Sequence, residues 1–271
     1  PPGQPLPVTY EWTGNWDTLQ NGIVLLTWQS VTNPNRRWLH DHGLGNGRLH
    51  GKLENSVTLR EQLATLPPAN LPPGKYALSA TYLHRETGLT YPLEGNIVEI
   101  EITPNAPIVA APEIDLISQL RNLAQQLPQG LEALTPIFDE IGRINQYDPV
   151  QDYVKQAEIA LQYRLNQTPD QADLAYTLAL TQILLEDAKG AIAAFKTVTQ
   201  LDPQNPYPHA YLALLYLYTG QPRTAEIALK PALAIHPNLI EFKAIEGIAA
   251  LMQGRVRRAW HILVPLLKTL E

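Results

Sequence analysis

Cysteine is absent from the sequence, and this absence excludes several kinds of chemistry. Without thiols the chain cannot form disulfide bonds, thiolate zinc sites, iron–sulfur clusters or a cysteine nucleophile. Long apolar runs are absent too, since none approaches the roughly 20 residues that a membrane-spanning helix needs. Recognised catalytic patterns such as Gly-x-Ser-x-Gly and His-Glu-x-x-His are also missing. We therefore expect no enzyme activity, no catalytic residues and no cofactor.

Positive charge is scarce as well. The 20 Lys and Arg residues are outnumbered by 26 Asp and Glu residues, which gives a formal net charge of −6. A non-specific nucleic-acid binder needs a basic face, so we expect no nucleic-acid partner. The sequence starts at Pro1 rather than at methionine, and we expect a processed or trimmed product. Membrane association through a preceding segment, and with it an extracytoplasmic or membrane-anchored location, stays open.

The length of 271 residues suits two domains, and the two halves carry different patterns. Residues 1–104 contain short stretches of strand formers that are separated by Gly and Pro, including an alternating run at 97–103. Four of the five tryptophans lie in this half: Trp12, Trp16, Trp28 and Trp38. The spacing of the stretches predicts a β-sandwich over residues 1–104.

The stretch LPPGKYAL at residues 71–78 resembles the tyrosine corner of immunoglobulin-like and fibronectin-like sandwiches. The resemblance implies that the Tyr76 hydroxyl bonds to the backbone just upstream. The Cys…Trp…Cys pattern of antibody domains is absent.

A stretch without charge and rich in proline, residues 105–112, predicts a linker. Beyond it the apolar spacing becomes helical, so we expect a helical domain over 113–271. Prolines recur there at intervals of 34 residues, at Pro169, Pro203 and Pro237, and small residues keep the same interval.

This period resembles the tetratricopeptide repeat. The resemblance implies an all-α helical solenoid with three units, at 172–205, 206–239 and 240–271, preceded by a degenerate helical pair. Ala179 against Ala191, and Ala213 against Ala225, are expected where the two helices of a unit cross closely.

Such solenoids bind peptides or other proteins along a concave groove that the first helix of each unit lines. Here the predicted groove is apolar and rich in tyrosine. The partner-binding residues that we predict are Tyr176, Leu180, Ile183, Tyr207, Leu214, Tyr218 and Ile248. Several interpretations stay open: a protein or peptide partner fills the groove, the protein's own segment 113–147 or its β domain covers it, or many of these residues are core packing between repeats.

The stretch WLHDHGLGNGRLHGK at residues 38–52 holds His40, His42 and His50. His40 and His42 would share one side of a strand, and His50 would return across a turn, so the three could hold a metal ion. No carboxylate follows at a known hydrolase spacing. We therefore predict a hairpin with glycines at its tip, the histidines as surface partners across the strands, and no metal site.

The sequence thus predicts a non-catalytic interaction or assembly scaffold. The alternative is a carbohydrate-binding or glycan-enzyme accessory module that uses the tryptophan-rich sandwich. Exposed Trp12, Trp16 or Trp38 would favour that alternative, because sugars stack on flat aromatic faces. The oligomeric state stays open.

Overall fold

The computed structural model describes residues 1–47, 49, 51, 53, 56–93, 98–148 and 150–267. The chain divides into two compact units. The first unit comprises Pro1–Leu120 together with Asp148–Tyr163, and the second comprises Arg121–Tyr147 together with Arg164–Glu271. None of the described helices is both long enough and apolar enough to cross a membrane.

The first unit contains the strands. They are β1 (Leu6–Asn15), β2 (Gly22–Ser30), β3 (Arg37–Leu39), β4 (His42–Gly43), β5 (Ser56–Thr65), β6 (Gly74–His84), β7 (Thr90–Pro92) and β8 (Glu99–Ile102). β1 and β5 form a two-stranded antiparallel sheet. β2 and β6 are the centre of a six-stranded sheet, in which β3 and β4 pair with β2 and β7 and β8 pair with β6.

The two sheets share one hydrophobic core, as a sandwich requires. Tyr10 of β1 and Leu63 of β5 are buried in the same cluster as Val24 and Leu26 of β2. Inward and outward residues alternate along β1. The sheet-rich N-terminal half confirms the predicted fold class for this part of the chain.

A second cluster contains the predicted tyrosine corner. The rings of Trp28 and Trp38 stack with centroids 5.6 Å apart, and Tyr76 packs edge-on against Trp38. The Tyr76 hydroxyl donates a hydrogen bond of 2.7 Å to the carbonyl of Pro72. The bond to the upstream backbone that the tyrosine corner implies is therefore confirmed.

The helices are α1 (Trp16–Gln20), α2 (Leu116–Ala124), α3 (Leu134–Tyr147), α4 (Asp152–Gln167), α5 (Ala172–Leu184), α6 (Ala188–Leu201), α7 (Pro206–Tyr218), α8 (Pro222–Ile235), α9 (Ile240–Met252) and α10 (Val256–Leu267). The last six form three hairpins, α5–α6, α7–α8 and α9–α10. α8 and α10 each continue through an internal proline.

The division into units differs from the predicted boundaries. Ile114, just after the predicted linker, pairs with Ala64 of β5 in an isolated bridge. The start of α4 also belongs to the first unit, where Gln156 donates a hydrogen bond to the carbonyl of Gly47. α3 and the first part of α4 therefore belong to different units, whereas the sequence predicted them as one degenerate helical pair.

Candidate partner-binding surface

Small residues close each repeat hairpin, as the 34-residue period predicts. Ala179 and Ala191 of the first hairpin are fully buried, and so are Ala213 and Ala225 of the second. In the third hairpin a Cβ added to Gly247 would clash with the side chain of α10 that faces it. Close helix packing is therefore possible only with these small side chains.

Large side chains fill the space between successive hairpins. Phe195 of α6 and Leu229 of α8 are fully buried, and the Phe195 ring lies 5.5 Å from that of Tyr211 in α7. Tyr207 of α7 packs edge-on against Phe242 of α9 at 5.6 Å. These contacts join the three hairpins into one continuous helical array.

An ion-pair network fixes the third hairpin onto the second. Glu226 of α8 accepts hydrogen bonds from Arg255 at 3.1 Å and from Arg258 at 2.5 Å, and Arg258 also reaches Glu246 at 3.0 Å. The hydrogen bond from the Gln253 amide, together with the two arginines, lowers the pKa of Glu226. These two arginines thus have an internal role between repeats.

The structure distributes the predicted groove residues over three levels of exposure. Tyr176 and Leu180 are buried; Ile183, Tyr207 and Leu214 are half-buried; Tyr218 and Ile248 are exposed. The Tyr176 hydroxyl donates a hydrogen bond of 3.0 Å to Asp202 at the end of α6. Tyr176 and Leu180 are thus packing residues in this structure, because close helix contacts leave them almost no accessible surface.

The chain's own segment contacts part of the predicted groove. A short 3-10 turn, Leu127–Gln129, precedes Gly130, and the Tyr211 hydroxyl lies 2.9 Å from the carbonyls of both Leu127 and Gly130. The side-chain amide of Asn205 donates to the carbonyl of Pro128 at 3.0 Å. A Cβ on Gly130 would lie 3.0 Å from the ring of Tyr207. The turn therefore covers the groove around Tyr207.

Other residues of the predicted groove stay accessible farther along the array. Tyr218 at the end of α7 is 77% exposed, and Ile248, Leu251 and Met252 of α9 are exposed as well. Leu214 and Tyr218 stand 34 residues before Ile248 and Met252, so the repeat places them side by side on neighbouring first helices. We call these five residues the α7–α9 strip.

A depression adjoins the end of the strip. It has a volume of about 420 Å³ and is lined by Met252, by the turn Gly220–Thr224 and by Gln253 and Arg255. The turn between α7 and α8 thus stands beside the turn between α9 and α10. A side chain that approaches along the strip would meet a recess at this point.

The histidines of the first unit are placed differently from the prediction. β3 and β4 both pair with β2 and are interrupted at His40 and Asp41. The Asp41 carboxylate accepts a hydrogen bond of 3.0 Å from the backbone N–H of Leu26. The prediction of His40 and His42 as surface partners is wrong, because both are fully buried. His50 lies outside the described residues.

The stretch does not form the predicted hairpin, because β3 and β4 pair with β2 and the described residues 49, 51 and 53 belong to no strand. A 3-10 turn, Leu44–Gly47, follows β4, and Gly45 and Gly47 have φ angles of 64° and 65°. These are left-handed values that glycine adopts readily. The glycines thus support a sharp turn after β4.

A buried polar cluster surrounds the two histidines. The Tyr10 hydroxyl shares a hydrogen bond of 2.9 Å with Nδ1 of His40, whose Nε2 lies 3.4 Å from an Asp115 oxygen. Nε2 of His42 lies 3.4 Å from Glu61, and the two imidazole centroids are 5.1 Å apart. Across the described residues, no group of three or more His, Asp or Glu side chains is arranged to hold a metal ion.

Burial and neighbouring charges shift the pKa values of the two histidines in opposite directions. Burial lowers the pKa of His40 well below its usual value, so His40 is neutral. Burial alone would also lower the pKa of His42, but the hydrogen bond and the negative charge of Glu61 outweigh it and raise that pKa. Burial opposes ionisation of Glu61, yet contact with His42 and the N–H of Gly45 lowers its pKa. His42 and Glu61 thus form a buried ion pair.

Comparison with known proteins identifies the repeats. Residues 182–247 match the family model described as tetratricopeptide repeat. No curated protein shows a match.

Solved structures of other proteins are similar to parts of the chain. One titled "Crystal structure of MamA" has 17% identity and a TM-score of 0.40 over 57% of this chain and 86% of that one. Another, "MamA MSR-1 C2", has 21% identity and a TM-score of 0.37 over 42% of this chain and 64% of that one. TTC0263, a thermophilic TPR protein in Thermus thermophilus, has 18% identity and a TM-score of 0.36 over 56% of this chain and 80% of that one. The match over residues 182–247, the 34-residue period and the helix hairpins together support tetratricopeptide repeats in the C-terminal half of the chain.

Proposed function

We propose that the second unit is a non-catalytic scaffold that binds a segment of another protein along the α7–α9 strip. The tetratricopeptide fold supports a role in protein–protein interaction. The observation that carries the proposal is the exposure of Tyr218, Ile248, Leu251 and Met252 on neighbouring first helices of the array.

An apolar strip of this kind favours a polypeptide partner. Single exposed apolar residues are common on protein surfaces, but a contiguous apolar patch with polar surroundings usually marks an interaction site. Tyrosine is enriched at the energetic centres of interfaces, because its ring is large and its hydroxyl can stay solvated. We propose an amphipathic helix or an extended segment whose apolar side chains cover the strip.

The proposed site is narrower than the groove predicted from the sequence. Tyr176 and Leu180 are buried, and the chain's own turn at Gly130 packs against Tyr207. These residues support the array from inside. The accessible members of the predicted set, Tyr218 and Ile248, are proposed to contact the partner directly.

Site-specific photo-crosslinking on the complete chain tests the location of the site. A photoreactive phenylalanine analogue at Tyr218 is expected to capture a partner, which mass spectrometry then identifies. The same analogue at Ile227, which is 64% exposed on second helix α8, serves as the matched control. Equal capture at both positions would place the binding surface elsewhere.

Affinity measurements with the identified and purified partner complete the test. Tyr218→Lys and Ile248→Lys are each expected to weaken binding by roughly 10-fold to 100-fold, which corresponds to about 1–3 kcal/mol at an interface centre. Ile227→Lys should leave the affinity within about twofold, as expected for a residue outside the interface. An unchanged affinity in both strip variants would refute the proposal.

The carbohydrate alternative gains no support from the tryptophans that it needs. Trp38 is buried, and its indole N–H donates to Thr65. Trp12 and Trp16 are half-buried, and their indole N–H groups donate to Glu61 and to the carbonyl of Gly51. A sugar-binding platform needs an exposed aromatic face, which Trp38 does not offer.

A further inference from the structure

The first unit contains a cavity beside strand β1. Its volume is about 420 Å³, and it is lined by Trp12, Thr13, Gly14, Thr18, Leu19, Val24, Leu44, Tyr82, His84, Tyr91 and Leu93. Leu19, Val24 and Leu44 form an apolar floor that belongs to the sandwich core. Among the residues that the structure describes, the lining includes no Asp, Glu, Lys or Arg. A bound group would therefore be uncharged and mainly apolar.

The position of the cavity follows from the register of the two-stranded sheet. Trp12, Thr13 and Gly14 face Leu59, Thr58 and Val57 of β5 across the β1–β5 ladder. The three β1 residues line the cavity, whereas none of their β5 partners does so. The cavity therefore lies on the side of β1 that faces away from β5.

No described strand pairs with that side of β1, which is therefore a strand edge in the described part of the chain. β1 is ten residues long, and β5 is its one partner strand within the described part of the chain. Alternate N–H and C=O groups on the other side of β1 are thus available for a further strand. Over ten residues this edge measures about 33 Å, which is long enough for a ladder of several hydrogen bonds.

Gly14 leaves an inward position of β1 without a side chain. Inward residues alternate with exposed ones along the strand, and Gly14 follows Trp12 in the inward series. A Cβ added at Gly14 would meet Leu19 at 3.7 Å, which is ordinary van der Waals contact. Its φ angle is not positive, so a larger residue could adopt the same backbone. The missing side chain opens the cavity toward the strand edge.

The outer face of β1 carries a negative charge beside the strand edge. Glu11 is exposed there, and its carboxylate lies 3.7 Å from Arg60 on β5. A strand on the other side of β1 would place one of its outward side chains next to Glu11. A basic residue is complementary at that position.

We propose that β1 binds an extended peptide that continues the β5–β1 ladder, inserts an uncharged apolar side chain into the cavity beside Gly14 and places Lys or Arg next to Glu11. The unpaired backbone supplies affinity, and the cavity and the carboxylate supply specificity. This site is separate from the α7–α9 strip, and the two can be tested independently.

Selection from a displayed library of nine-residue peptides, with the complete chain as the target, tests the proposal. Selection against the wild-type protein should enrich peptides that alternate apolar and polar residues and carry one basic residue at an outward position. Binding of the synthesised peptides is then measured by calorimetry. N-methylation of alternate backbone amides should abolish binding, because it removes the donors of the ladder.

Two variants separate the cavity from the rest of the strand. Gly14→Val fills the cavity and should weaken binding at least roughly tenfold, while Thr9→Val, an exposed position on the same strand, should leave it within about twofold. Tyr91→Ser removes a cavity wall on β7 and should also weaken binding, which keeps the test valid if Gly14→Val unfolds.

Three results would overturn the proposal: no peptide enriched above background, peptides that bind Gly14→Val as tightly as the wild type, or N-methylated peptides that still bind. Wild-type self-association that Gly14→Val abolishes would indicate a second copy instead. Binding of neutral glycans on an array, with no peptide selected, would indicate a sugar site.

Discussion

Replacing Glu61 with glutamine tests how strongly the buried polar cluster stabilises the first unit. The Glu61 carboxylate accepts hydrogen bonds from the Trp12 indole at 2.5 Å and from the Gly45 backbone at 2.6 Å, and it lies 3.4 Å from His42. Glutamine keeps the shape of the side chain but removes the charge. It also has a single acceptor oxygen, so one of the buried donors loses its partner.

The expected loss is a large fraction of the stability of one domain. Removing one member of a buried ion pair typically costs about 3–5 kcal/mol, because the other charge stays buried without compensation. A buried donor that loses its acceptor costs about 1–3 kcal/mol, and these two costs overlap here. We therefore expect Glu61→Gln to lower the free energy of unfolding of the first unit by about 3–5 kcal/mol.

Guanidinium denaturation followed by tryptophan fluorescence measures this loss. Four of the five tryptophans lie in residues 1–104, so the fluorescence reports mainly on the first unit. Glu11→Gln is the control, since Glu11 and its partner Arg60 are both well exposed. The control should change the stability by less than about 0.5 kcal/mol. A loss below about 1 kcal/mol in Glu61→Gln would refute a stabilising ion pair.

The pH dependence provides a second check on the same pair. The pKa of Glu61 is lowered in the folded protein, so its contribution is fully present above its ordinary value of 4.5 and is lost as the pH falls through the folded value. The pKa of His42 is raised, so its contribution is fully present below 6.5 and is lost as the pH rises through the folded value. The difference between wild type and Glu61→Gln should be largest between about pH 4.5 and 6.5. A difference that grows steadily below pH 4.5 would contradict this assignment.

Two further substitutions test the second unit. Ala213→Leu overfills a fully buried hairpin contact and should lower the free energy of unfolding by about 1–3 kcal/mol. Ala234→Leu, exposed on α8, should change that free energy by less than about 0.5 kcal/mol. Tyr211→Phe removes the hydroxyl that bonds to the turn ending at Gly130, so hydrogen exchange should accelerate in that turn, while Tyr218→Phe should leave the exchange unchanged. Equal behaviour within either pair would contradict the packing described above.

The repeat architecture could be predicted because the residues that specify each helix hairpin lie close together in the sequence and recur in every repeat. A helix hairpin needs small residues at one crossing point, and the same need recurs every 34 residues, so Ala179, Ala213 and Gly247 share one register. Each small residue in this register therefore supports the assignment of a helix crossing at the next one. The accessible part of the groove was less predictable, because the turn at Gly130 covers Tyr207 from a distant part of the sequence.

The buried histidines could not be placed from their own stretch of sequence. A strand pattern puts His40 and His42 on one side but does not say whether that side faces solvent. Their partners, Glu61 and Asp115, are far away in the chain. One signal was present, since Glu61 occupies an inward position of β5 between the apolar residues Leu59 and Leu63. A carboxylate at such a position requires a buried partner.

The same cluster explains why the unit boundary lies beyond the proline-rich stretch. Asp115 is buried 3.4 Å from His40, and its other oxygen accepts a hydrogen bond from the N–H of Ser118 in the first turn of α2. The Asp115 carboxyl group near the start of α2 therefore has neighbours both in the sandwich and in the helix. A fragment that begins at residue 113 would keep Asp115 but lose His40, and the start of α4 would lose its contact with Gly47. The helical repeats should accordingly be assayed in the complete chain, since cutting at the composition change exposes polar groups and core surface that the folded protein buries.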